Sequence, residues 1–231
     1  MLQADLDCAS TLGIVLEKGS TLDFAGHGIA DGKPYAIRCA GNACALLSST
    51  GTGEISGSAT AISVWGGRGP VQVRDITIRD SGPFPVQTQG AIDAVDARLD
   101  LIRVRILNAL ANYGIIARRI VATDVEVSGG TGIGLFAIRS LVASNLTTDG
   151  NGEIGVLASP ASVTGLNAPN NGRAGLASAR PTIEGGEITG NGSQGGPDVL
   201  ARAPRFSAVI CGTSQRLRSD PPVTLGVCAN D

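Results

Sequence analysis

A short alternation of apolar and polar residues recurs along most of this chain at intervals of 20–22 residues, with one longer step. Alternation with a period of two is typical of β-strands, whereas an amphipathic helix needs apolar residues three and four positions apart. The repeat therefore predicts short strands and an inward-pointing column of equivalent residues. The predicted members of this column are Ile55, Ile76, Val104, Val125, Leu146, Leu166 and Ile188.

Each strand is followed by a corner at which the chain turns. One corner is rich in Gly and Asn, as in residues 149–152 and 170–172, because these residues accept positive φ angles at little cost. Another recurs as Arg118-Arg119, Arg139-Ser140, Ser159-Pro160, Arg180-Pro181 and Pro204-Arg205. Three strands and three corners per coil predict an all-β fold, a parallel β-solenoid of about nine coils, roughly 45 Å long at the usual strand spacing. Its cross-section is narrow, since predicted inward positions such as Ala117, Ala137, Ala158 and Ala201 are small.

The ends of such a fold need caps, because an open sheet edge is a template for aggregation. We expect an N-terminal cap over residues 1–13, the solenoid over 14–206 and a C-terminal cap over 207–231, where the period breaks. A second, polar column predicts a ladder of charges that fixes the register of the coils. Its predicted members are Glu54, Asp75, Arg103, Asp124, Asn145, Gly165 and Glu187.

Residues 20–29, which read STLDFAGHGI, resemble the opening coil of right-handed parallel β-helix proteins of the pectate-lyase-like superfamily. With the 20–22-residue repeat, the resemblance extends over about residues 14–205. It implies a right-handed coil and a superfamily of pectate lyases, polygalacturonases, alginate-modifying enzymes, phage tailspikes and members without known activity. The polygalacturonase motifs N-T-D, D-D and R-x-K are missing here, and the only G-H-G lies in the first coil. His27 is therefore interpreted as structural.

The chain has five cysteines. Cys211 and Cys228 bracket the expected C-terminal cap, and a bridge between them would stabilise it. Cys39 and Cys44 flank a tight loop and are candidates for a second bridge, which leaves Cys8 over; five unbridged thiols are the alternative. Disulfides would indicate a secreted or periplasmic protein, and the excess of Arg over Lys favours a bacterial source. Residues 1–7 show no signal-peptide pattern and are typical of a mature domain with an added start Met.

Two observations limit the classes of binding partner that the sequence allows. The formal net charge is −2, so nothing favours nucleic acid as a partner, and no stretch of 18 apolar residues exists that would span a membrane. We expect a monomer without a bound metal or cofactor. Ca²⁺ enters only if the protein is a lyase, because lyases of this superfamily often use Ca²⁺ on clustered carboxylates.

The irregular middle of the chain holds the candidate ligand-binding residues. They are Trp65, Arg68, Arg74, Asp93, Asp96, Arg103 and Arg105, which adjacent coils would bring to a shallow cleft. Trp65 either stacks on a sugar or packs beneath the long 79–89 loop. The charged residues either bind a ligand or form plain corners and ladder partners. The arginines at positions 118, 119, 139, 180 and 205 form a corner stripe. They either attract an anionic polysaccharide or are isolated arginines at solvated corners.

Two functions follow from this sequence. The first is a non-catalytic scaffold or surface-binding module. The alternative is a protein that binds an acidic polysaccharide on the lateral face of its middle coils, with or without lyase activity. Three or more carboxylates within metal-bridging distance would favour the enzyme.

Overall fold

The computed structural model describes residues 1–7, 13–30, 34–41, 43–67, 69–82, 89–215 and 223–224. These residues form strands, bends and turns but no helix, so no described segment is a helix that could cross a membrane. The strands are β1 (Leu6–Asp7), β2 (Ile14–Leu16), β3 (Thr21–Asp23), β4 (Gly28–Ala30), β5 (Tyr35–Ala40), β6 (Ala45–Leu47), β7 (Gly53–Ser56), β8 (Thr60–Trp65), β9 (Pro70–Arg79), β10 (Gly90–Leu107), β11 (Tyr113–Ser128), β12 (Ile133–Asp149), β13 (Ile154–Ala158), β14 (Ala161–Asn167), β15 (Ala174–Ser178), β16 (Pro181–Ile188), β17 (Val199–Ala201), β18 (Arg205–Cys211), β19 (Thr213–Gln215) and β20 (Val223–Thr224).

The strands stack in parallel as a β-solenoid of about eight turns, against the nine or so predicted, and the all-β prediction is confirmed. Three lateral faces result. Face A contains β2, β5, β8, β13, β15, β17, β19 and the first parts of β10 to β12. Face B contains β3, β6, the first parts of β9, β14, β16 and β18, and the middle of β10 to β12. Face C contains β1, β4, β7 and the last parts of β9 to β12, β14, β16 and β18.

The predicted inward column is correct in its middle and shifted at both ends. Val104 pairs with Ile76, and Leu146 lies between Val125 and Leu166. All five side chains are buried. At the ends, however, Gly53 takes the place predicted for Ile55, and Gly186 takes the place predicted for Ile188.

The reason for the shift is a corner with left-handed backbone between faces B and C. Asp75, Arg103, Asp124 and Asn145 occupy it with φ between 50° and 57°, and Gly165 and Gly185 continue the series at 70° and 66°. This conformation fixes where each strand of face C begins. Glu54 and Glu187, which were predicted in the same column, instead align with Thr77 and Asn167 on the strand itself.

A ladder of buried asparagines lies inside the corner that follows face C. Asn151, Asn171 and Asn191 occupy equivalent positions on successive coils, and each side-chain oxygen accepts a hydrogen bond from the coil before it. The Oδ1 atom of Asn171 accepts from the backbone N–H of Asn151 at 3.1 Å and from its Nδ2 at 3.0 Å. The Nδ2 of Asn171 donates to the carbonyl oxygens of Thr148 and Pro169 at 2.8 and 2.9 Å. The ladder therefore satisfies backbone groups that a tight buried corner leaves without strand partners.

The ladder ends on a buried carboxylate. One oxygen of Asp198 accepts from the N–H and the Nδ2 of Asn191 at 2.7 and 2.9 Å. The other accepts from the N–H and the hydroxyl of Thr213 at 2.7 and 3.0 Å. Four donors compensate the loss of solvation of this charge, so Asp198 joins the last coils of the solenoid.

Parallel stacking extends beyond both expected cap boundaries. Leu6–Asp7 already pairs with β4, and β18 crosses the expected boundary at residue 206 before β19 adds one more strand to face A. The pairing of β19 with β20 is antiparallel. Within the described part of the chain, this antiparallel contact is where the solenoid pattern changes.

The bridge predicted between Cys39 and Cys44 is absent, since the structure has both as buried free thiols. The sulfur of Cys44 instead lies 3.8 Å from the carbonyl oxygen of Leu16 and 3.9 Å from that of Glu17. Burial, together with the neighbouring Cys44, raises the pKa of the Cys39 thiol, which disfavours the thiolate that oxidation needs. Cys211 is buried, while Cys228 and Cys8 lie outside the described residues, so the bridge proposed for the C-terminal cap stays a prediction.

Candidate functional site

Three of the predicted ligand-binding residues meet at the corner between faces B and C. Arg103 donates two hydrogen bonds to the carboxylate of Asp75, at 2.6 and 2.8 Å, and Arg74 donates one to the same carboxylate at 3.1 Å. Arg105 lies two residues further along the chain, and its Nε donates to the carboxylate of Glu126 at 2.8 Å. Asp75, Arg103 and Arg105 border a depression of about 450 Å³ on face C, which also includes Glu54, Arg79 and Asp124.

The charges in this depression compensate one another. Arg79 is paired with Glu54 at 3.0 Å, so each arginine that lines the depression already contacts a carboxylate. The hydrogen bond from Arg103 holds the pKa of Asp75 below its ordinary value, and Asp75 in turn raises the pKa of Arg103. This cluster is therefore the register ladder that the sequence predicts, and its arginines have no charge left over for an anionic ligand.

We expect Asp75→Asn to lower the melting temperature by no more than a few degrees, because exposed ion pairs contribute little. Asn keeps the left-handed backbone of this position, so the variant tests the charge alone. Since the pKa of Asp75 is lowered in the folded state, its contribution is present above the ordinary carboxyl pKa and is lost as the pH falls through the lowered value. Thermal unfolding of both proteins between pH 2 and 7 measures this.

Asp124→Asn is the matched control, because Asp124 occupies the same corner two coils later and accepts a single hydrogen bond, from Asn145 at 2.8 Å. An Asp75→Asn difference that grows on acidification would contradict the ladder assignment.

The other predicted residues that the structure describes lie elsewhere, so the six described residues do not form one cleft. Trp65 ends β8 on face A and is 59% exposed. Most of the 79–89 loop lies outside the described residues, so the packing of Trp65 beneath it stays a prediction. Asp93 lies half-buried on the same face, in register with Ser63. Asp96 is exposed at the following corner, and Arg68 lies outside the described residues.

The corner between faces A and B carries the second predicted feature, the arginine stripe. We call its members, Arg118, Arg119, Arg139, Arg180 and Arg205, the arginine corner. Arg119 pairs in register with Arg98 on one side and with Ser140 on the other. Arg180 precedes Pro181, which pairs with Ala161, and Arg205 pairs with Thr182. The stripe therefore follows the solenoid axis over about 20 Å at a strand spacing near 4.8 Å.

The arginine corner differs from face C in having no ion-pair partners among the described residues. Across the residues that the structure describes, none of its five guanidinium groups forms an ion pair. Arg98 is tied to Asp100 at 2.7 Å. Asp96 lines a small depression together with Arg118 and Arg119 but forms no ion pair with either of them. Uncompensated positive charge on one edge attracts polyanions even though the whole chain is slightly acidic.

An apolar groove runs alongside the arginine corner on face A. It has a volume of about 330 Å³. Its larger lining side chains are Phe136, Ile138, Leu157 and Leu200, with alanines and serines between them and Arg202 at one end. These side chains point outward, because their strand neighbours Leu135, Ala137 and Val156 fill the core. A row of apolar side chains flanked by cations suits a ligand that is apolar along one side and anionic along the other.

Sequence reasoning found the arginine corner but missed this groove. Its signal is visible in retrospect, since outward positions of three successive face A strands are Ile116, Phe136 and Leu157, where a solvated face would have polar residues. Sequence reasoning also missed Arg38, which contacts Trp65 from the preceding coil. The described residues hold no group of three His, Cys, Asp or Glu side chains that would bind a metal ion.

The fold and this surface define a class: a parallel β-solenoid with an arginine-rich corner beside an apolar lateral groove. No protein family, no curated protein and no solved structure matches the chain.

Proposed function

We propose that this protein is a non-catalytic binding module that holds an acidic polysaccharide along the arginine corner. The observation that carries the proposal is the contrast between two sets of arginines. Those on face C are each tied to a carboxylate, while those of the arginine corner have no ion-pair partner in the described part of the chain. The resemblance of residues 20–29 to pectate-lyase-like β-helices supports the same substrate class.

The groove supports an extended chain of sugars rather than a compact ligand. One coil advances about 4.8 Å along the axis, which is close to the length of one sugar residue in an extended polysaccharide. The CH faces of the sugars would pack on Phe136 and Leu157, while their carboxylates would face Arg139 and Arg180. A secreted or periplasmic location would bring the protein to such polymers.

The test is binding of polygalacturonate and alginate to the full chain by affinity electrophoresis, with dextran as the neutral polymer. The triple variant R119Q/R139Q/R180Q removes three cations from the arginine corner. Exposed charge pairs contribute up to about 1 kcal/mol each, so we expect affinity to fall by roughly tenfold to a hundredfold. Added salt is expected to weaken wild-type binding in the same way.

The triple variant R79Q/R103Q/R105Q is the matched control, because it changes the net charge equally but acts on face C. We expect it to bind like the wild type. Equal losses in both triple variants, or binding to dextran as strong as to polygalacturonate, would overturn the proposal. A rise of absorbance in the unsaturated-product band when polymer and Ca²⁺ are added would show a lyase instead of a non-catalytic module.

A further inference from the structure

Trp65 is an exposed but firmly held aromatic side chain. Its indole Nε1 donates to the hydroxyl oxygen of Ser63 at 2.6 Å, which fixes the ring although 59% of the residue is exposed. An indole held in one orientation and exposed to solvent can stack on a ligand, and it loses little conformational entropy on binding because it is already ordered.

Arg38 completes one side of this surface. β5 and β8 pair so that Ala40 lies beside Trp65 and Arg38 beside Ser63. The guanidinium carbon of Arg38 lies 4.5 Å from the centroid of the Trp65 ring and 5.8 Å from that of Tyr35. Stacking on two aromatic rings holds a guanidinium in place while its charge stays available.

The charge of Arg38 is not matched within the part of the chain that the structure describes. Among the described residues no carboxylate forms an ion pair with it, and its buried Nε has no hydrogen-bond partner. A buried N–H donor without an acceptor is unusual in a folded protein. Because this Nε is buried, a ligand carboxylate would pair with the terminal nitrogens of the guanidinium, for which its shape is suited.

Asp93 provides an acceptor on the other side of Ser63. Ser63 pairs in register with both Arg38 and Asp93, so a cation, a hydroxyl and an acid lie in line on three consecutive coils. The outer two are about 10 Å apart at the usual strand spacing. Asp93 is half-buried, and desolvation raises its pKa. No arginine or lysine in the described segments forms an ion pair with it.

We propose that Trp65, Arg38 and Asp93 form a binding site for a single uronate unit, separate from the arginine corner. The sugar ring stacks on the indole of Trp65, its carboxylate pairs with Arg38, and a hydroxyl on its far side donates to Asp93. The choice of a uronate as the sugar rests on the proposed function, whereas the site itself rests on the contacts of Arg38 and Trp65.

The test uses tri-galacturonate as the probe and the fluorescence of Trp65, which is the only tryptophan of the chain. We expect a saturable change of intensity or emission maximum with tri-galacturonate and none with a neutral galactose trimer. Arg38→Gln should raise the half-saturation concentration about tenfold or more, because a bidentate charge-assisted pair is lost. Arg173→Gln, an equal charge change on a distant coil, should leave it unchanged.

Thermal unfolding of each variant shows whether it is folded, and if Arg38→Gln is not, Asp93→Asn replaces it with an expected loss of several-fold. Half-saturation unchanged in the folded variant, or a wild-type response that galactose reproduces, would overturn the inference. The R119Q/R139Q/R180Q variant separates the two proposals, because it should keep the trimer response while losing polymer binding. A trimer response in a wild-type protein that binds no polymer would contradict the proposed function alone.

Discussion

Asn171→Ala is expected to destabilise the protein by about 3–5 kcal/mol, since several buried polar groups lose their partner at once. The side chain of Asn171 is fully buried. Its removal takes away the acceptor of the Asn151 N–H and the donor to the Thr148 and Pro169 carbonyls. Each buried group left without a partner costs about 1–3 kcal/mol. Urea unfolding followed by far-UV circular dichroism measures the free energy of unfolding.

Asn167→Ala is the control, because Asn167 is exposed on face C four residues earlier in the same coil. Its effect should stay within about 0.5 kcal/mol. If Asn171→Ala cost no more than Asn167→Ala, the ladder would not be what holds this corner together.

Gly155→Ala has the second largest expected effect, because no space exists for a methyl group at this position. An added Cβ would lie 2.5 Å from the hydroxyl oxygen of Thr148, 2.7 Å from the carbonyl oxygen of Gly175 and 2.8 Å from Nδ2 of Asn171. Two of these three neighbours belong to other coils, so relief requires adjacent coils to separate. Overpacking of this kind costs about 1–3 kcal/mol, and we expect the upper end.

The comparison is Gly28→Ala, where the nearest atom would be 3.4 Å from the new Cβ, which is ordinary contact. Gly28 also has a negative φ angle, so we expect unchanged or slightly raised stability from the reduced entropy of the unfolded chain. Melting temperatures of the two variants give the answer. A similar drop in melting temperature in both variants would contradict the argument from space, because Gly28 has room for a methyl group and Gly155 does not.

These two positions also bear on the candidate binding surface. Gly155 belongs to β13, whose Leu157 lines the apolar groove two residues later. The asparagine ladder and the close packing of face A keep successive coils at a constant spacing. A binding site repeated along an axis depends on that spacing, since each ligand unit has to meet its own coil.

The local alternation of the sequence was sufficient to predict the fold and most of the core. Coils of a solenoid contact their sequence neighbours, so a 21-residue period is read directly as stacked strands. The same periodicity misplaced Ile55 and Ile188, because a shift of two residues keeps every side chain on its own side of the strand. The left-handed residues at Asp75 and Gly185 decide between such registers.

The asparagine ladder could have been predicted from the sequence, because Asn151, Asn171 and Asn191 are spaced by one coil each. Its end was not, because Asp198 follows Asn191 by only seven residues and reaches the ladder through a shortened loop.

What the sequence determined by itself is the shape: short strands, three corners per coil and an all-β parallel stack. What only the tertiary structure decided is which charges are free. The sequence alone does not distinguish Arg103 from Arg139. In the structure, Asp75 forms an ion pair with Arg103 from a position 28 residues earlier in the chain, whereas no described carboxylate pairs with Arg139. Electrostatic interaction depends on distance in space rather than along the chain, and the coil-to-coil pairing that sets those distances exists only once the protein has folded.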